Sequence, residues 1–313
     1  MEKRLTTEKN THVNHASTPQ SSADHSSAPH DHMNSSGQFE ARSTPTVELS
    51  SEPPQWRSYV AIGDSFSEGL WDVAPENPDV CRGWADMLAL TLSSRRQAAG
   101  LSPLSYANLA IRGRLLRPII SEQLPRALDM SPDLISIIGG GNDILRPAVD
   151  VDLIAAHLDH AVAQARATGA DVLLATGTDF SGRGSLAFTR SRTAIFNSHI
   201  WSIAQRHGAY VANMWGHRTI SDPRMWAEDR IHLTTQGHRR VADMALVGLG
   251  LQPEDPGFDA PLDDPQPKNP RVRARENIVW AREHVGPWIK RRLTGTSTGD
   301  TRVAKYPTLE PID

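Results

Sequence analysis

Five short apolar runs, spread between stretches of helical spacing, limit what this chain can fold into. They are Ser58–Ile62, Ser105–Leu109, Asp133–Ile138, Asp171–Thr176 and Ala209–Ala212. The clearest, Asp-Leu-Ile-Ser-Ile-Ile, is apolar on both faces and closes on three glycines, Gly139–Gly141. A strand wetted on one side alternates apolar and polar residues, whereas a continuous apolar run marks a strand covered on both sides. Helical spacing follows in Gly83–Gln97 and in Val151–Thr168, where Ile154, Leu158, Val162 and Ala165 share a face. It recurs in Arg190–Arg206 and in Thr234–Leu249. Leu115–Leu128 also reads helical, with ends blurred by Pro118 and Pro125. Alternation of this kind predicts one α/β domain over residues 56–251, a parallel sheet under helices on both faces.

The flanks read differently. A length of 313 residues would suit two domains of roughly 150 each, but the apolar content is concentrated in the middle. Residues 1–55 hold ten Ser, five Pro and five His against five Leu, Ile, Val or Phe. Such a segment cannot bury enough apolar surface to offset its chain entropy, so a disordered tail is expected. Its histidines (His12, His15, His25, His30, His32) are scattered, with no cysteine or carboxylate cluster to make a metal tract. Residues 252–270 carry six Pro and five acidic residues in nineteen positions and read as an extended strap. Residues 271–293 have seven basic and two acidic residues with Ile278, Ala281, Val285, Trp288 and Ile289 at roughly helical spacing. Gly286-Pro287 should break that helix. Its expected role is to dock Trp280 and Trp288 on the chain's own domain, the alternative being weak contact with an anionic surface. Residues 294–313 read as a frayed tail.

Charge and cysteine content narrow the function. The formal charge is −3, so no global basic field attracts nucleic acid. One cysteine, Cys81, excludes a disulfide framework within the chain. No apolar run is long enough to span a membrane, and Met1–Asn10 lacks the apolar core of a leader, so a cytoplasmic protein is expected.

Serine hydrolysis needs a nucleophile, a base, an orienting acid and donors for an oxyanion. The one literal Gly-x-Ser-x-Gly string, Gly295–Gly299, has no strand before it and no histidine after it, and is set aside. Ser65, in Gly-Asp-Ser-Phe-Ser-Glu-Gly, follows the first strand, where open parallel sheets bind ligands. Three further blocks lie in order: Asn108-Leu-Ala-Ile-Arg-Gly113 and Gly139-Gly-Gly-Asn142-Asp143, each after a strand, and Asp229-Arg-Ile-His232 before the final helix. Asp229 is close enough in sequence to accept from the His232 Nδ1 and leave Nε2 as a base. Asp64 is expected to brace its loop, and His238 to be a surface or capping residue. Asp222 is a rival acid that no spacing ties to His232. Trp71, Trp84 and Trp215 read as core. Gly177–Arg192 carries no motif.

In these four ordered blocks the chain resembles the SGNH/GDSL hydrolases, over about residues 56–250, and its longer strings resemble an actinobacterial branch. The resemblance implies a three-layer, flavodoxin-like α/β/α sandwich with a five-stranded parallel sheet. It implies an esterase or lipase with Ser65 as nucleophile, His232 as base and then acid, and Asp229 as orienting acid. The Ser65 and Gly113 N–H groups and the Asn142 amide would form the oxyanion hole. The implied partner is a small-molecule ester, and no cofactor or metal is implied.

Two other enzyme classes fail on residues. A metallophosphoesterase needs Asp where Ser67 stands and His where Asp143 stands. A dinucleotide site needs Gly-x-Gly-x-x-Gly after the first strand, and Gly63–Glu68 does not supply it. A binding module that keeps the fold without the chemistry is the remaining alternative, and it has no need of Ser65, Asp229 and His232 together.

Overall fold

Alternate residues of the central strands feed two separate cores. The first strand, β1 (Ser58–Gly63), sends Tyr59 and Ala61 to one face and Val60 and Ile62 to the other. The computed structural model describes residues 48–74, 77–180, 186–263, 270–280, 282–283 and 299–313. The tail histidines, Trp288, the Gly286-Pro287 break and most of the Gly295–Gly299 string lie outside them.

From β1 the chain runs through α1 (Ser65–Glu68), a hairpin of β2 (Val73–Ala74) and β3 (Asn77–Cys81), α2 (Trp84–Ala98) and β4 (Ser105–Asn108). Next come α3 (Leu116–Pro118), a π turn at Ile119–Gln123 and α4 (Leu124–Asp129), so the stretch with two prolines is broken into three pieces. β5 (Leu134–Ile138), α5 (Gly141–Ile144), α6 (Val151–Ala167), β6 (Asp171–Ala175), α7 (Arg190–His207), β7 (Tyr210–Ala212) and α8 (Thr235–Gly248) complete the alternation. Two late elements follow, α9 (Pro270–Trp280) and β8 (Tyr306–Pro311).

The main sheet has the order β7-β6-β5-β1-β4-β8. The five expected strands are parallel to one another. One face packs on Trp84, Leu88 and Leu92 of α2 and Val241 and Ala245 of α8. The other packs on Leu116, Leu158, Val162 and Ile200 from α3, α6 and α7. This is the three-layer arrangement expected from the sequence.

Three expectations need correction. The sheet has a sixth strand: β8 pairs antiparallel with β4, with Ser105 opposite Pro311 and Asn108 opposite Tyr306. Residues 306–311 therefore are not a frayed tail. An edge strand tolerates prolines and needs no apolar run, which is why Tyr-Pro-Thr-Leu-Glu-Pro reads as a tail. Order also begins before residue 56. The Ser50 N–H donates to the Gly250 carbonyl at 2.8 Å, and the Pro54 carbonyl accepts from Arg96 Nη1 at 3.1 Å. The start of the strap, to residue 263, lies on the domain, where Phe258 and Leu262 pack against the core. Trp280 docks on the same domain, and its indole N–H reaches the Asp229 carbonyl at 3.0 Å.

Candidate active site

The Gly63-Asp64-Ser65 block is shaped by contacts on both sides of Gly63. A Cβ at Gly63 would stand 2.6 Å from the Ile138 carbonyl oxygen and 2.6 Å from Ser67 Oγ, so only glycine lets β1 leave the sheet here. Gln123, on the π turn, holds Gly63 through both of its backbone polar groups. Its Oε1 accepts from the Gly63 N–H at 2.8 Å and its Nε2 donates to the Gly63 carbonyl at 3.0 Å. Asp64 then caps α1, accepting the Phe66 N–H at 3.0 Å, and Ser65 opens the helix.

His232 meets Ser65 from the opposite side of the site. Its Nε2 lies 2.8 Å from Ser65 Oγ, and its Nδ1 lies 2.5 Å from Asp229 Oδ2. The other Asp229 oxygen accepts the Ile231 and His232 N–H groups, each at 3.0 Å. The Asp229 carboxylate therefore orients both its own turn and the imidazole. Burial works to raise its pKa, but the hydrogen bonds from His232 and the two amides prevail and hold it below the ordinary carboxylate range. The turn is closed by the Ala227 N–H on the His232 carbonyl (2.8 Å) and the Arg230 N–H on the Ala227 carbonyl (2.9 Å). At its apex Arg230 has φ +62°, a left-handed conformation that a non-glycine residue adopts at a cost.

The remaining blocks converge on α1. Asn108 Nδ2 donates to the Ser67 carbonyl at 2.9 Å, joining β4 to α1. The Ile111–Arg114 turn carries Gly113 at φ +77° and is tied to α1 through Arg112, whose backbone N–H and Nε reach the Glu68 carboxylate at 2.6 and 2.8 Å. Asn142 Nδ2 donates to Asp64 Oδ2 at 3.1 Å and to the Arg114 carbonyl at 2.9 Å. Asp64 thus aims Asn142 as well as capping α1, and burial raises its carboxyl pKa to about 6.

His238 is not a surface residue. It is buried, lines the site, and its Nδ1 accepts the Trp84 N–H at 3.2 Å, so it caps α2 rather than its own helix. Asp222 pairs with Arg224. Trp84 is fully buried as expected, whereas Trp71 is 43% exposed.

Beside Ser65 opens a cavity of about 170 Å³. Ile138, Ile144, Leu145, Phe196, Met214 and Trp226 supply much of its apolar wall, and Thr176, Thr178 and Thr193 also line it. The motif-free stretch after Gly177 therefore forms part of the wall. Gln123, Trp226 and this stretch were missed from sequence, since no spacing links them to the four blocks. Only the prolines beside Gln123 hint at an irregular helix.

The sequence model of the GDSL-like lipase/acylhydrolase family matches residues 61–240. No curated relative matches the chain. Among solved structures, the acetylxylan esterase Axe2 from Geobacillus stearothermophilus is similar at 19% identity and TM-score 0.52, covering 63% of this chain and 95% of that one. LAE5, an alpha/beta hydrolase from the metagenome of Lake Arreo, Spain, is similar at 22% identity and TM-score 0.52, covering 62% and 95%. At these identities the two structures bear on the fold.

Proposed function

Since this chain belongs to the GDSL-like lipase/acylhydrolase family and is an ester-hydrolysing enzyme, we propose that it works through an acyl-enzyme on Ser65. The observation that carries this reading is the unbroken hydrogen-bonded line Ser65 Oγ–His232 Nε2 and His232 Nδ1–Asp229 Oδ2. Ser65 Oγ attacks the ester carbonyl carbon while its proton passes to His232 Nε2. Asp229, ionised throughout, stabilises the imidazolium that forms. Negative charge gathers on the carbonyl oxygen, where the Ser65 and Gly113 N–H groups and the Asn142 amide are its donors. Asn142 rests on Asp64 and Arg114 in the free protein, and one of its N–H groups turns to the oxyanion as charge develops. The C–O bond to the alcohol breaks, and the alcohol leaves with the proton from His232. Water then attacks the acyl-enzyme, giving a proton to His232; the bond from the acyl carbon to Ser65 Oγ breaks, His232 returns that proton to Oγ, and the carboxylic acid departs.

The cavity points to an apolar acyl group. An apolar cavity of about 150 Å³ holds a six-carbon ring, so this one suits an acyl chain of about four to six carbons. An acetyl group, named in the Geobacillus stearothermophilus neighbour, would leave most of the cavity unfilled.

Labelling with a fluorophosphonate probe, and turnover of p-nitrophenyl esters of rising acyl length, test both statements. Wild type should label at Ser65 and prefer butyrate or hexanoate to acetate. Ser65→Ala and His232→Ala should each lose at least ~10³-fold in kcat. Full activity in Ser65→Ala would overturn the mechanism, and a clear preference for acetate would overturn the acyl assignment.

A further inference from the structure

The turn that carries both Asp229 and His232 is gripped by a helix outside the family-matched residues. Trp280, at the end of α9, donates its indole N–H to the Asp229 carbonyl at 3.0 Å. That carbonyl belongs to the peptide leading into the left-handed residue Arg230. The Arg230 guanidinium lies 4.8 Å from the centroid of the Trp280 ring, within cation–π range, and its Nη1 donates to Asn277 Oδ1 at 2.8 Å. Asn277 and Trp280 are three residues apart and share one face of the helix. Ile278 and Val279 between them are 70% and 44% exposed. The helix therefore meets the turn through a directional polar and aromatic contact, and Ile278 and Val279 do not carry it.

We infer that Trp280 is a positioning residue for catalysis, fixing the Asp229–Arg230 peptide and so the direction in which His232 faces Ser65. The inference rests on the triad reading above. Displacing a reacting group by 1 Å can cost about 10²-fold in rate. The His232 Nε2–Ser65 Oγ distance of 2.8 Å leaves little slack. A left-handed arginine relaxes towards ordinary backbone angles once its stacking partner and the carbonyl's donor are gone. Such relaxation rotates the peptide from which the Asp229 carboxylate hangs.

The test compares Trp280→Phe, Trp280→Ala and the exposed-site control Ile278→Ser in the full chain. Trp280→Phe keeps the ring under Arg230 and loses only the donor, so kcat should fall about fivefold to tenfold with KM within about twofold. Trp280→Ala should lose about 10²-fold in kcat, and Ile278→Ser should match wild type. The low-field proton resonance of the Asp229–His232 hydrogen bond, read by NMR without substrate, should broaden in Trp280→Ala and be intermediate in Trp280→Phe. Wild-type kcat in Trp280→Ala, a loss confined to KM, or an equal loss in Ile278→Ser would each overturn the inference. If wild type neither labels nor turns over, the esterase mechanism fails. The resonance then still decides the positioning role, and an unchanged signal in Trp280→Ala refutes it.

Discussion

Two buried ionisable side chains at the site respond to acid in opposite ways. Burial, the largest influence on each, raises Asp64 from 3.8 to about 6 and lowers His238 from 6.5 to about 4. His238 stays neutral because its Nδ1 must accept the Trp84 N–H. Between pH 6.5 and 4 the unfolded chain binds a proton at His238 that the folded protein refuses, so stability falls with acid. Asp64 acts the other way. Between pH 6 and 3.8 the folded protein takes up its proton first, so this contribution grows with acid and is lost as pH rises through 6. Each effect amounts to roughly 3 kcal/mol at full extent, and over their shared window they nearly cancel. Urea unfolding across this range should show a steeper acid loss of stability in Asp64→Asn and a shallower one in His238→Gln. Equal slopes in wild type and both variants would contradict this assignment.

At the scale of elements, Lys305, which belongs to no motif, joins several parts of the site's framework. It sits just before β8, and its Nζ donates to the Glu68 carbonyl at 2.7 Å, the Cys81 carbonyl at 2.8 Å and Asp86 Oδ2 at 2.5 Å. Asp86 also accepts from the Tyr106 hydroxyl at 2.9 Å and the Gly83 N–H at 2.8 Å. One ammonium therefore ties together the ends of α1 and β3, the start of α2, and β4. Removing it strands a buried carboxylate, and such a loss typically costs about 3–5 kcal/mol. Lys305→Met should lower urea-derived stability by that order, and Lys305→Met with Asp86→Asn should recover part of it. No recovery in the double variant would show that the charge is not what matters. None of this is legible in sequence, because Lys305 stands alone in a polar stretch. The parallel strands are legible because burial on both faces writes Leu-Ile-Ser-Ile-Ile without interruption. The first three motif blocks are legible because a parallel sheet puts its working loops after its strands, and the fourth because it stands just before α8. Gln123 acts through two hydrogen bonds to the Gly63 backbone and Trp280 through one to the Asp229 carbonyl, and a lone residue leaves no periodic trace.

At the scale of the molecule, the family-matched residues 61–240 are completed from outside. Ser50 bridges to Leu251, Trp280 holds the histidine turn, and β8 closes the edge of β4. Truncation before residue 299 would leave β4 as an open edge, and open edges pair with other chains. The truncated protein should melt at a lower temperature and elute from size exclusion as dimers or larger species. A monodisperse, equally stable product would refute this. The same edge sets an order of events during synthesis. Lys305 meets Glu68 across 237 positions of sequence, so the ribosome releases α1 long before the residue that seats it. Contacts so distant are slow to form. A nascent chain can bury β1, β5 and β6 against their helices while β4 still waits for its neighbour. Assembly of the Ser65 site is thus tied to a late and distant closure, and a half-made chain lacks the seat on which α1 rests.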